Sequence, residues 1–251
     1  MKLTVVGCSG SFPGPDAAAS SYLVEAEDFR LVLDLGNGAL GALQRHVDLD
    51  DVDAVFLSHL HSDHCVDLCS FYVARKYDPE GRFGKKLPVY GPAGSAERMA
   101  RAYFDAGQAR GLDDVYDFQT LSPGTLAIGP FDITLDRVNH PVETFACRLE
   151  HAGRTLTYSA DTGESNSLVS LATDADVLLC EATFHEGRDD ARDLHLTARQ
   201  AGEHAARAGA ERLLLTHIPP WNDRERTLDE ASRSSYSGAV DLARPGAAVQ
   251  I

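Results

Sequence analysis

The chain has 251 residues, 43% of them hydrophobic, and a formal net charge of −15 at pH 7. So much apolar residue supports one α/β domain over residues 1–251, no apolar run is long enough to span a membrane, and so acidic a surface disfavours stable binding of a polyanion such as tRNA unless basic residues gather at one patch. The five Cys (Cys8, Cys65, Cys69, Cys147 and Cys180) are odd in number and form no C-x-x-C pair, which argues against a disulfide framework and against thiolate-held zinc.

The opening run Met1–Gly7 is too short for a signal-peptide core and reads as a first strand, so the protein is expected to be cytoplasmic. Strands are predicted at Leu3–Val6, Ser21–Glu25 and Leu31–Leu35, and a buried one at Val52–Ser58 leads into His59. A helix is predicted over Val66–Tyr77, with Cys65 and Cys69 packing inward. Arg75, Lys76, Arg82, Lys85 and Lys86 surround a turn-like stretch and read as a solvated loop, with a phosphate-contacting rim as the alternative. A strand follows at Leu87–Tyr90, then a helix at Ser95–Phe104 with Ser95 as its N-cap.

The second half repeats this grammar. A strand at Phe131–Val138 ends before His140, and Phe145–Leu149 with Thr155–Tyr158 forms a hairpin that leads into Asp161. A helix over Ser167–Ala172, a strand over Val177–Cys180, a helix over Thr197–Ala208 closed by Gly209 and a strand over Arg212–Thr216 complete the series. Two blocks of strands, each followed by helices, predict a four-layer αββα sandwich. His59, His140, Asp161 and His217 each follow an apolar strand, and residues at strand ends share a rigid rim.

Three His and one Asp fall within His59-Leu60-His61-Ser62-Asp63-His64. Holding so many titratable groups behind a buried strand is costly unless they are coordinated. Imidazole and carboxylate suit Zn²⁺ and related first-row ions, and one tetrahedral ion takes about four ligands. Adding His140, Asp161 and His217 yields too many candidates for one ion and enough for two that share a carboxylate. Zn²⁺ is the default for such ligands, and Mn²⁺ or Fe²⁺ is compatible with them. His46, His151, His185 and His204 read as ordinary structural or surface histidines.

The segment resembles the H-x-H-x-D-H signature of the metallo-β-lactamase superfamily, and Leu33-Asp34-Leu35-Gly36 looks like that superfamily's early Asp-x-Gly turn. His140, Ser159-Ala160-Asp161-Thr162-Gly163 and Leu215-Thr216-His217 stand in the order of its later ligands. The resemblance implies the αββα fold and two ions, one held by His59, His61 and His140, the other by Asp63, His64 and His217, with Asp161 bridging. His195-Leu196-Thr197-Ala198 and Glu181 are similar to the ribonuclease Z and phosphodiesterase branch, which implies that His195 is the acid for a phosphodiester leaving group, that Glu181 orients it, and that Asp63 can also orient the attacking water.

Two departures bear on the substrate. Twenty residues separate His140 from Asp161, which is room for a hairpin and not for a tRNA-gripping arm. Pro13-Gly14-Pro15-Asp16-Ala17-Ala18 also lacks the basic positions of the ribonuclease Z loop. Gly7-Cys8-Ser9-Gly10-Ser11, Gly41–His46 and Leu215–Trp221 are similar to compact actinobacterial proteins related to cyclic-nucleotide phosphodiesterases. That likeness implies hydrolysis of 3′,5′-cyclic AMP or GMP to the 5′-monophosphate, and by analogy a homodimer. A ribonuclease Z-like RNA phosphodiesterase is the alternative, followed by a thioester or lactone hydrolase, and a metal-binding protein without activity comes last. Trp221 could stack on a purine, pack in the core or contact a second copy.

Overall fold

A computed structural model describes residues 1–105, 111–189, 191 and 193–251. The first sheet contains β1 (Lys2–Ser9), β2 (Ala18–Ala19), β3 (Ser21–Ala26), β4 (Phe29–Leu33), β5 (Ala54–Phe56), β6 (Leu87–Gly91) and β7 (Tyr116–Thr120). The second contains β8 (Gly124–Ile128), β9 (Phe131–Arg137), β10 (Phe145–His151), β11 (Arg154–Tyr158), β12 (Val177–Glu181), β13 (Arg212–Thr216) and β14 (Ala239–Leu242), and β15 (Ala248–Gln250) returns to the first. Their orders are β15-β1-β3-β4-β5-β6-β7, with β2 paired to β1, and β14-β13-β12-β11-β10-β9-β8. In each sheet an antiparallel meander gives way to parallel strands, β4 to β7 in one and β11 to β14 in the other.

Alternation along the strands builds the layers. Leu31 and Leu33 of β4 and Ala54 and Phe56 of β5 face the second sheet, where they meet Leu156, Val177, Leu179 and Leu214 in a shared core. Val32, Val55 and Leu57 point the other way, onto α1 (Ala39–Leu43), α3 (Leu68–Lys76) and α4 (Ser95–Tyr103). Leu178, Cys180, Leu213 and Leu215 do the same toward α5 (Asn166–Leu171), α6 (Ala198–Ala208) and α7 (Arg224–Ser232). Strands buried on both faces read as continuous apolar runs, which is why the sequence shows them plainly. Among the described residues no helix is long and apolar enough to cross a membrane.

Several expectations change in detail. The ligand-rich segment is not extended throughout. It winds into a short helix α2 (Ser62–Cys65), and the predicted Val66–Tyr77 helix begins only at Leu68. Ser95 does not cap α4. Gly94 takes that position with φ 85°, a left-handed conformation that favours glycine, while the Ser95 hydroxyl donates to the Pro92 carbonyl at 2.7 Å. The helix ending at Gly209 is capped as its sequence suggests, with Thr197 and Gln200 forming a capping box, and it is followed by α7, which the sequence reading did not include. The polar edge strands β7 and β8 carry too few buried residues to announce themselves.

Candidate metal centre

The C-terminal ends of β5, β11 and β13, with the turn after β9, converge on one rim. His59, Asp161, His217 and His140 sit there, and α2 swings Asp63 and His64 in beside them. The backbone is tightly constrained: Asp34, Ala160 and His217 adopt φ of 58°, 52° and 54°, conformations that cost non-glycine residues and cluster at functional sites. Gly36 lets α2 approach, because a Cβ there would lie 1.9 Å from the Asp63 carbonyl oxygen. Gly36→Ala is therefore expected to destabilise the fold by about 1–3 kcal/mol through overpacking, read as a lower midpoint in thermal unfolding. An unchanged midpoint would refute this account.

The ligand candidates form two four-membered sets that share Asp161, and a smaller group of Glu181, His195 and His217 adjoins them. One comprises His59, His61, His140 and Asp161, the other Asp63, His64, Asp161 and His217, and within each set the ligand atoms lie within 4.8 Å of one another. The Asp161 carboxylate is divided between them. Its Oδ1 lies 3.2 Å from His64 Nε2 and 3.4 Å from His217 Nε2, and its Oδ2 lies 3.7 Å from His59 Nε2. Asp63 Oδ2 is 3.1 Å from His217 Nε2. With metal–nitrogen bonds of about 2.0–2.1 Å, ligand atoms around a tetrahedral ion are about 3.4 Å apart, which is the spacing seen.

Buried hydrogen bonds set the tautomers. Ser58 Oγ donates to Asp34 Oδ2 at 2.7 Å, so it accepts from His59 Nδ1 at 3.0 Å. His64 Nδ1 donates to Asp34 Oδ2 at 2.8 Å, and His140 Nδ1 donates to the Leu194 carbonyl at 2.9 Å. Thr183 Oγ1 gives its proton to Glu181 Oε2 at 2.7 Å and so accepts from His217 Nδ1 at 2.8 Å. Each Nε2 is thereby aimed inward, as outer partners do for metal-binding histidines. His61 turns its Nδ1 to the cluster, 3.1 Å from His59 Nε2 and 3.2 Å from His140 Nε2.

This donor set fits cations and little else. Burial pushes His59, His61 and His140 below the usual histidine range, keeping them neutral. His59 and His140, whose Nδ1 atoms carry their protons, both turn Nε2 lone pairs toward His61 Nδ1, and one proton there cannot serve both, whereas a cation between the three satisfies all of them. Asp161 Oδ1 is buried without an aligned hydrogen-bond donor. Burial opposes the charge of Asp161, yet His217 and His64 hold it well below the carboxylate range, and Asp161 and Asp34 in turn hold a proton on the buried His64. A divalent ion is the natural replacement for that proton.

His195 and Glu181 stand beside this cluster. His195 Nδ1 lies 2.8 Å from Glu181 Oε1, and its ring centroid is 5.5 Å from those of both His140 and His217. Glu181 is fully buried and also accepts from Thr162 N at 2.7 Å and Thr183 N at 3.2 Å. Burial opposes the imidazolium, but the Glu181 carboxylate overcomes it by charge and hydrogen bond and pushes His195 up to about 9.

All nine residues singled out for the site (His59, His61, Asp63, His64, His140, Asp161, Glu181, His195 and His217) come together at this rim. Sequence reasoning left Asp34 without a role. It is fully buried and accepts from Ser58 N, Ser58 Oγ, His64 Nδ1 and Tyr158 OH, so it fixes two ligand-bearing segments at once. The available signal was its place directly after an apolar strand, as with the ligands themselves. Trp221 is 64% exposed, with its ring 4.7 Å from that of Phe12, which overturns the core-packing reading. The basic cluster is not on this rim: Arg75, Arg82, Lys85 and Lys86 surround a cavity with Val52 and Leu87, at the opposite ends of β5 and β6. His204 and His185 serve packing, through Ser165 N and Glu230 respectively.

Two layered sheets with seven metal-type ligands on one rim define a metallo-hydrolase of the metallo-β-lactamase fold. The chain belongs to that superfamily: a family model described as "Beta-lactamase superfamily domain" matches residues 30–218. It is 44% identical to an uncharacterized protein of Mycobacterium tuberculosis, over 96% of this chain and 88% of that one. It is 33% identical to the probable metallo-hydrolase YhfI of Bacillus subtilis, over 98% of both chains, and the YhfI crystal structure superposes with a TM-score of 0.89 over 99% of this chain and 98% of that one. Ribonuclease Z of Halorubrum lacusprofundi is 27% identical over 100% of this chain and 97% of its own, in an alignment of 308 positions.

Proposed function

We propose that the protein is a two-metal phosphodiesterase that hydrolyses 3′,5′-cyclic nucleotides to 5′-monophosphates. The observation that carries this reading is the His195–Glu181 pair at 2.8 Å beside a cluster compatible with a binuclear centre. When bound, two divalent ions, with Zn²⁺ the first choice, would neutralise the phosphate and lower the pKa of water to about 7. His59, His61 and His140 would hold one, Asp63, His64 and His217 the other, and Asp161 both.

The protein's own groups then manage the protons. Asp63, turned inward on α2, orients the attacking water. Having lost one proton to solvent, that oxygen bonds to phosphorus, the bond from phosphorus to the ribose 3′-oxygen breaks, and His195 passes its Nε2 proton to the departing oxygen and regains one from solvent. Glu181 keeps that imidazole protonated beforehand and fixes its direction.

The surroundings favour a small substrate over tRNA. Only the β10–β11 hairpin, turning at Ala152-Gly153, lies between His140 and Asp161. The cavity beside His195 is lined by Glu164, Asp189 and Asp193, charges that repel an RNA backbone. The ribonuclease Z relative sustains an RNA phosphodiesterase as the second reading, although its alignment of 308 positions against 251 residues places extra segments in that enzyme. Turnover of cyclic AMP and cyclic GMP, compared with cleavage of a pre-tRNA by the metal-loaded protein, separates the two. Cyclic nucleotides left intact at high enzyme would sink the first reading, and pre-tRNA cleavage would establish the second.

A further inference from the structure

A cavity of about 640 Å³ opens from the centre on the side of His61 and Asp63. Its walls are Leu60, Pro92, Ala93 and Val142, and besides Asp63 two charged side chains reach it, Glu143 and Arg98. Glu143 is already neutralised, since Arg137 holds it at 2.6 Å. Arg98, on α4, is different. Among the described residues the guanidinium of half-buried Arg98 has no hydrogen bond or ion pair, whereas the other arginines without a partner (Arg45, Arg101 and Arg244) are all exposed. In a chain of net charge −15, a partly buried arginine left unpaired among so many carboxylates is a donor fork awaiting an acceptor.

Building on the phosphodiesterase reading, we propose that this cavity takes the nucleobase of the substrate and that Arg98 reads its edge, with guanine preferred over adenine. A phosphate alone would leave most of the volume empty, and cavities of this size hold whole small ligands. Apolar walls suit the faces of a planar base, while the guanidinium needs acceptors in its plane. Guanine presents two on one edge, N7 and O6, which match the fork in bidentate fashion. Adenine presents N7 beside an amino donor that faces the guanidinium unfavourably. Placing the base here leaves the His195 side of the centre to the leaving 3′-oxygen.

The test is the ratio of kcat/KM for cyclic GMP to that for cyclic AMP in the metal-loaded wild type and in Arg98→Gln and Arg98→Lys. The wild type is expected to favour cyclic GMP by about tenfold or more. Arg98→Gln should invert the ratio, because a carboxamide pairs with adenine N6 and N7. Arg98→Lys keeps the charge but not the fork and should bring the ratio toward one. Equal fractional losses on both nucleotides would assign Arg98 to the phosphate or to folding, and that outcome, like an unmoved ratio, overturns the proposal. If neither cyclic nucleotide is hydrolysed, the phosphodiesterase reading fails separately. Inhibition of bis-p-nitrophenyl phosphate turnover by GMP and AMP then decides the base pocket: stronger inhibition by GMP that Arg98→Gln reverses supports it, and equal inhibition rejects it.

Discussion

Asp161→Asn is expected to strip the protein of its paired metals and to reduce phosphodiester turnover by more than about 10²-fold. Outer partners of metal ligands alone are worth about 10–100-fold in affinity or activity, and Asp161 is the one residue common to both ligand sets. Its two oxygens face different sets, Oδ1 toward His64 and His217 and Oδ2 toward His59. An amide keeps one acceptor but removes the charge that balances two cations. Elemental analysis after desalting should find fewer than two metals per chain. A variant with two metals and wild-type turnover would contradict the bridging role.

His195→Ala should behave differently, with two metals retained and kcat lowered by about 10²–10⁴-fold, the usual worth of a general acid. His195 is absent from both four-residue ligand sets and belongs only to the smaller group with Glu181 and His217, where its Nδ1 is already held by Glu181 at 2.8 Å, so metal content and turnover together separate its role from that of Asp161. Undiminished turnover would end the assignment. The pH dependence follows from the pair geometry. His195 is pushed up to about 9 by Glu181 against its burial, so activity that needs its proton falls as pH rises through that region, and bound cations would move the fall to lower pH. Glu181→Gln removes the raising charge and should shift this alkaline limb down further. A limb that stays in place would separate it from His195.

The same pair carries a stability signature in the metal-free chain. A histidine raised from 6.5 to about 9 on folding contributes stability that is complete below about 6.5 and lost as pH rises through about 9. Urea midpoints of the metal-free protein should therefore fall across that window in the wild type and remain flatter in His195→Ala. Parallel curves for the two proteins would show that the pair adds nothing to folding.

Much of this was legible in the sequence because buried parallel strands and metal ligands both leave local marks. The runs around Val32, Val55, Leu178 and Leu214 are apolar on both faces, and each strand end that carries a ligand is followed at once by His or Asp. The elements that went unread, α1, α2, α7, β2, β7, β8, β14 and β15, are short, edge-placed or polar, so they depend on partners distant in the chain. β15, for example, exists because Gln250 and Val249 lie against Lys2 and Leu3.

By itself, the sequence determined the layered architecture and the membership of the metal cluster, since strand periodicity and ligand chemistry are local properties of the chain. The tertiary structure decided what no spacing encodes. It turned the two oxygens of Asp161 toward different ligand sets, made Asp34 the anchor of Ser58 and His64, carried the basic cluster to the far ends of β5 and β6, and left Arg98 beside the centre without a partner among the described residues. Each depends on side chains brought together from distant parts of the chain, and such meetings are set by packing.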